Sequence, residues 1–174
     1  GRAVRFNENA VRAMGRVSTG VRGMRLDGGD DEVVGMVVVN KPDEETIMVV
    51  SENGYGKRSL VEDYRVTNRG GKGVKTLGIT EKTGRLVAIK VVTDENDLMI
   101  INKSGIVIRL SVKECRVMGR ATQGVRLINL TKKNDVIASV CKVMSSELEA
   151  VAEDESRKQM VATNERINQD ATSA

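Results

Sequence analysis

Histidine and tryptophan are absent from the 174 residues, and the chain holds only two cysteines, one proline, two tyrosines and one phenylalanine. Each scarcity removes a class of function. Without histidine, and with Cys115 and Cys141 too far apart for a CxxC pair, a zinc site lacks ligands, and Ser-His-Asp or Cys-His chemistry lacks its base. Aromatic residues make up 2% of the chain, too few for the stacking platforms that hold single-stranded nucleic acid. No apolar run reaches the roughly 18 to 20 residues of a membrane span, and no charged-then-apolar leader opens the sequence. No membrane contact is therefore expected, and both cysteines are expected as buried thiols in a cytoplasmic protein. No acidic pair and no Walker-type glycine loop stands out, so no catalytic residue, metal or cofactor is expected. Tyr55, in "NGYGKR", reads as the aromatic of a β-turn rather than a nucleophile.

What is present is repetition. "MGRVSTGVRGMRL" (Met14 to Leu26) returns as "MGRATQGVRLINL" (Met118 to Leu130), with a blurred copy, "NRGGKGVKTLGI", between them. Alignment on Gly1, Gly54 and Gly105 gives units of 53 and 51 residues, in the range of four-stranded propeller-type units. A second glycine falls nineteen residues on in each (Gly20, Gly73, Gly124), followed by valine (Val21, Val74, Val125).

Within a unit the pattern is that of strands. The apolar runs "TIMVVS" and "DLMIIN" lead into Asn53-Gly54 and Ser104-Gly105, which reads as a two-residue hairpin turn. The return strands are "AVRF", "GKRSL" and "IVIRL". A basic segment follows, then "GVRGMRL", "GVKTLGI" or "GVRLINL", and a β-branched strand closes each unit: "EVVGMVVV", "LVAIKVV" or "VIASVCKV". Four strands per unit predict an all-β, propeller-like array of three blades over residues 1–143, the units starting near 1, 54 and 105. The strand that would pair with Ala3 to Phe6 is expected upstream of Gly1. Residues 144–174 carry seven acidic and three basic side chains and no strand period. They read as an acidic polar tail, disordered or with a short helix.

Removing the tail's net −4 from the chain's +4 leaves a repeat region of +8. A basic body of this kind suits a polyanionic partner, for whose surface the tail would compete. Placement says more than the total. Four columns are basic in every copy: Arg5, Arg58 and Arg109; Arg12, Arg65 and Arg116; Arg16, Arg69 and Arg120; Arg22, Lys75 and Arg126. Stacked units would turn each column into a stripe matched to a phosphate backbone. With so few aromatics, duplex DNA read through backbone and bendability is favoured over single strands. The competing reading pairs some of these arginines with Glu62, Asp63 or Glu114 inside the fold.

The strings "GRAVRFNENAVRAMGRVSTGVRGMRL", "NGYGKRSLVEDY" and "SGIVIRLSVKECRVMGRATQGVRLINL" closely resemble the C-terminal domain of the bacterial DNA gyrase A subunit, over essentially all of residues 1–143. The resemblance implies a β-pinwheel of about six blades whose basic rim wraps duplex DNA, of which this chain would hold the last three or so and the acidic tail. It further implies a nucleoid-associated, non-catalytic module that supports ATP-dependent negative supercoiling, working with the gyrase B subunit, with the remainder of the gyrase A subunit, and with duplex DNA. That family's signature box is Gln-(Arg/Lys)-Arg-Gly-Gly-(Arg/Lys)-Gly. Thr67 to Gly73 keeps its last five residues, which adds Lys72 to the candidate phosphate contacts, its glycines permitting close backbone approach to a phosphate. The related C-terminal domain of topoisomerase IV and a propeller-like protein-interaction scaffold are the alternatives.

Overall fold

A computed structural model describes residues 1–130 and 135–145. The expected acidic tail falls, from residue 146 onward, outside the described residues. Nine strands form among them: β1 (Arg2–Ala3), β2 (Thr46–Ser51), β3 (Tyr55–Leu60), β4 (Val74–Lys75), β5 (Leu86–Val92), β6 (Asn96–Asn102), β7 (Val107–Ser111), β8 (Val125–Arg126) and β9 (Ile137–Met144), with 3₁₀ turns at Glu8–Ala10, Val61–Asp63 and Val112–Glu114. The all-β reading holds.

The hairpins form where the apolar runs meet glycine. β2 pairs antiparallel with β3, and β6 with β7. The loops hold three residues rather than two: Gly54 N–H donates to Ser51 O at 3.0 Å and Gly105 N–H to Asn102 O at 3.1 Å. Each glycine takes the left-handed last position of its loop, with φ of +78° and +85°, which L-residues resist and glycine does not.

β2 is apolar without alternation because both of its faces are covered. Ile47 and Val49 enter one core with Val61, Tyr64, Leu77 and Val91. Met48 and Val50 enter a second with Leu98, Ile100, Val112, Ile128 and Val140. Each core lies between successive blades, so a blade is stabilised chiefly by its neighbours, as in other repeat arrays.

The sheets do not follow the sequence repeat. The middle sheet runs β5-β2-β3-β8, and β8 belongs to the next sequence unit. Likewise β4, from the second unit, pairs with β1 of the first. The register repeats: Arg2 faces Lys75 and Ala3 faces Val74, as Tyr55 faces Arg126 and Gly56 faces Val125. The third strands of the second and third units thus complete the preceding blades, which corrects the expectation of four consecutive strands per blade. The third sheet is β7-β6-β9.

Several expected strands are shorter or absent: "GVRGMRL" forms no strand, and "GVKTLGI" and "GVRLINL" contribute only Val74–Lys75 and Val125–Arg126. "AVRF" contributes only Ala3 to β1, with Arg5 bridging to Val66. Residues 32–39 form no strand, although Val37 and Val39 still pack on the first core. The physical reason is visible in the other units. β5 forms against β2 and β9 against β6, and the described residues offer Val33–Val39 no equivalent strand to ladder with. The cysteines also differ from expectation. Cys115 is buried, which pushes its thiol pKa up, whereas Cys141 lies exposed on β9.

Candidate nucleic-acid interface

The four basic columns separate into two kinds. Arg5 and Arg58 leave the return strand of one unit and grip the 3₁₀ turn of the next: Arg5 Nη1 donates to Val61 O at 3.0 Å and Tyr64 O at 3.1 Å, and Arg58 Nη1 to Val112 O at 3.0 Å. Arg58 also donates to Thr46 Oγ1 at 3.2 Å and pairs with Asp94 at 2.7 Å. It is buried, at 7% exposure, and its donors are thus committed to Thr46, Val112 and Asp94 within the protein rather than to a phosphate backbone. Arg109 pairs with the buried carboxylate of Asp97.

A second column grips in the opposite direction. Arg69 donates through Nε to Ala10 O at 3.2 Å and through Nη1 to Arg22 O at 2.5 Å. Arg120 donates to Asp63 O at 2.8 Å and Lys75 O at 2.7 Å. The acceptors are equivalent positions one unit apart, so both arginines brace the same joint. They take backbone carbonyls rather than the carboxylates of Glu62, Asp63 or Glu114. Arg16, their counterpart in the first unit, is exposed and makes no side-chain hydrogen bond among the described residues.

The remaining columns face water. Arg12, Arg65 and Arg116 stand two residues beyond each 3₁₀ turn, exposed and without hydrogen-bond or ion-pair partners among the described residues. Arg22, Lys75 and Arg126 are likewise exposed. Arg126 alone of these is tied, to Tyr55 Oη at 2.9 and 3.2 Å and to Asn129 Oδ1 at 3.3 Å.

A model of the DNA gyrase C-terminal domain, a β-propeller, matches residues 1–40, 45–93 and 96–141. The chain belongs to this family. The DNA gyrase A subunit of Staphylococcus aureus strain NCTC 8325 is 46% identical over 169 residues, which are 97% of this chain and 18% of that protein. The same subunit from strain MRSA252 is 50% identical over 140 residues, 80% of this chain and 16% of that one. The chain therefore spans less than a fifth of these curated relatives. A solved DNA gyrase A C-terminal domain superposes with a TM-score of 0.71 at 28% identity, over 83% of this chain and 48% of that structure. The C-terminal domain of DNA topoisomerase IV superposes at 0.77 with 23% identity, over 89% and 49%, a likeness of fold alone.

In this gyrase-family chain the box-like segment does not use its glycines as expected. Gly70 N–H donates to Gly23 O at 2.8 Å, and Arg25 N–H to Gly71 O at 2.9 Å. Gly73, at φ +71°, lies so close to Ala3 O that a Cβ would overlap it. The glycines let one unit's backbone approach its neighbour's, which leaves these groups committed within the protein. Lys72 is exposed but pairs with Asp27 at 2.9 Å.

Nothing in the repeat pattern marks Lys57. It follows Gly56 in β3 and precedes Arg58, so the two cations point to opposite faces, and both faces are buried. Lys57 is wholly inaccessible, with Nζ donating to Gly119 O at 2.7 Å, to Arg120 O, and to Thr122 Oγ1 at 3.3 Å. It thereby fixes the Gly119–Thr122 loop. Burial, and then the nearby Arg120 charge, lowers its pKa from 10.5 to about 8. The folded chain therefore binds fewer protons here than the unfolded chain between those values, and stability should rise with pH across that window. The rise should amount to at most about 3 kcal/mol. Burial pushes up Tyr64 and Cys115, which act the other way at the alkaline end. Urea melts from pH 7 to 10 should therefore show a more positive slope for the native chain than for Lys57→Met. Parallel curves would mean that Lys57 keeps its ordinary pKa.

Proposed function

We propose that this chain is a duplex-DNA-binding and DNA-wrapping module of a bacterial gyrase A subunit. It supports ATP-dependent negative supercoiling by the holoenzyme, and its own residues carry out no bond-breaking step. The observation that carries the proposal is the pair of exposed columns, Arg12, Arg65, Arg116 and Arg22, Lys75, Arg126, repeated from unit to unit. Cations in equivalent places on successive blades suit a polyanion followed over a distance, and a near absence of aromatic side chains suits contacts to backbone rather than to splayed bases. The working partners are duplex DNA, the remainder of the gyrase A subunit and the gyrase B subunit, in the bacterial cytoplasm at the nucleoid. Arg5, Arg58, Arg69 and Arg120 support this surface from beneath by joining and bracing the units, while Arg109 is held by Asp97 within its own hairpin.

Salt titration of duplex binding tests the division between the columns. Counterion release makes log affinity fall with log salt by about 0.9 per phosphate neutralised. Substituting Arg12, Arg65 and Arg116 together by alanine should lower affinity for unrelated sequences alike and flatten the slope by up to about 0.9 per lost contact, with the melting temperature unchanged. Substituting Arg69 and Arg120 should lower the melting temperature while the folded protein keeps its slope. An unchanged slope in the first variant refutes the track. A chain that binds no duplex at any salt would point instead to a scaffold for acidic proteins.

A further inference from the structure

The joint between the second and third units carries a cluster that none of the four columns describes. Tyr55 opens β3 directly after Gly54 and faces Arg126 across the β3–β8 pairing. Its ring is buried, at 7% exposure. Arg126 donates twice to the phenolic oxygen, from Nε at 3.2 Å and Nη2 at 2.9 Å. The guanidinium carbon and Lys82 Nζ each lie 5.4 Å from the ring centroid. One phenol thus holds two cations.

The loop bearing Lys82 is fixed in place. Asn53 Nδ2 donates to Glu81 O at 3.1 Å and Lys82 O at 3.2 Å, which ties the loop to the same turn that presents Tyr55. Thr83 Oγ1 accepts from Thr80 N–H at 2.9 Å and donates to Gly78 O at 3.0 Å, closing the loop from beneath. Lys82 is thereby held beside the ring at the level of the backbone.

The cluster has donors left over and no anion. With two guanidinium N–H groups already on its oxygen, the Tyr55 hydroxyl can only donate its own hydrogen, and among the described residues nothing accepts it. Neither Lys82 nor Arg126 makes an ion pair among the described residues. The nearby acids do not fill the gap: Glu52 accepts the Arg85 N–H at 2.7 Å, and Glu81 makes no ion pair among the described residues. The preceding joint differs. There Arg2 faces Lys75, and Asp27 supplies a carboxylate whose pKa is lowered by Lys72 first and then by Arg2 and Arg25.

We propose that Tyr55, Lys82 and Arg126 form a phosphate-binding site that receives one backbone phosphate of the duplex. The site rests on the duplex-binding reading and adds to it a hydroxyl and a lysine outside the four columns. A phosphodiester offers two anionic oxygens, enough to accept from the phenol while lying beside both cations. The ring holds the guanidinium and ammonium by cation–π attraction, so the two charges are in place before DNA arrives.

The test uses the whole chain and a mixed-sequence duplex. Lys82→Ala should flatten the salt slope by about 0.9. Tyr55→Phe, which keeps the ring and removes only the hydroxyl, should weaken binding roughly 2- to 10-fold at each salt with the slope unchanged. The double variant should lose less than the two losses multiplied together, because both groups serve one phosphate. Lys82→Ala should leave the melting temperature unchanged, whereas Tyr55→Phe should lower it slightly through the loss of the two Arg126 hydrogen bonds. If both single variants bind as the native chain does while alanine at Arg12, Arg65 and Arg116 weakens binding, the site is wrong and duplex binding stands. If those alanines also have no effect, the duplex reading falls with it. Inorganic phosphate distinguishes the ligand's source: tyrosine fluorescence that changes with duplex and not with millimolar phosphate supports a backbone phosphate. Saturation by free phosphate that is abolished in Tyr55→Phe, with no effect on duplex affinity, overturns it in favour of a small-anion site.

Discussion

Arg58→Ala should lower unfolding free energy by about 3 kcal/mol, the loss of a buried side chain whose guanidinium makes several charge-assisted hydrogen bonds. The guanidinium spans three elements at once: Thr46 of β2, the Val112 carbonyl of the next unit's 3₁₀ turn, and Asp94 beyond β5. Two of these partners soften the loss. Asp94 is 65% exposed and regains water on release, and Val112 O still accepts the Cys115 N–H at 2.9 Å. What has no replacement is the packed stem and the fork that joins two blades. Arg58→Lys keeps a charge but cannot match three acceptors from one planar group, so it should recover less than half of the loss. Arg5 makes the same grip from a half-buried position with no acid partner among the described residues, and its alanine variant should cost about 1 kcal/mol. Urea denaturation of the three variants checks the order. Equal, small losses would mean that these arginines carry no joint.

Gly124→Ala should cost more than about 3 kcal/mol, and Gly20→Ala about 1 kcal/mol, although both glycines are left-handed. Their φ angles are nearly the same, +77° and +78°. The conformational penalty of a Cβ is therefore common to both sites and cancels in the comparison. The surroundings are what differ. Around Gly20 nothing lies within 4 Å, whereas at Gly124 the new atom would overlap the Gly56 carbonyl of the preceding blade. That oxygen belongs to strand backbone packed on both sides, so relief requires β8 to move off β3 and expose Leu127 and Ile128. Thermal melts of the two alanine variants measure the difference. A Gly124 variant no worse than the Gly20 variant would show that the two strands tolerate separation.

Much of this architecture is legible in the letters, and the reasons it is not all legible are physical. Hairpins are readable because apolar runs and left-handed glycines are local signals. The exchange of third strands between blades is not, because a translational repeat looks the same whether "GVRLINL" pairs with its own hairpin or the one before. Only the joint contacts, such as Gly124 against Gly56, distinguish the two. The arginine columns are visible as letters and indistinct as roles. Arg65 and Arg69 are four residues apart in the same basic segment, yet one meets water and the other two backbone carbonyls. A carbonyl acceptor leaves no mark in a sequence, whereas a carboxylate does, so Glu62, Asp63 and Glu114 stand out as partners for arginines that in fact bind backbone. Lys57 is hidden by its type, since lysine is almost never fully buried. The clue available is its place beside Arg58 in a strand flanked by apolar residues.

The exchange of strands also sets an order in time. β3 ends at Leu60, and the strand that covers its open edge, β8, begins at Val125, some 65 residues later. At about 5 to 20 residues per second on the ribosome, the middle sheet waits roughly 3 to 13 seconds with an unpaired edge. For the first part of that interval Leu98 and Ile100, which cover its inner surface at Met48 and Val50, have not yet been made. The first two sheets are therefore each finished by a segment synthesised after them, and an array built this way closes from its beginning toward its end, one blade behind the growing chain.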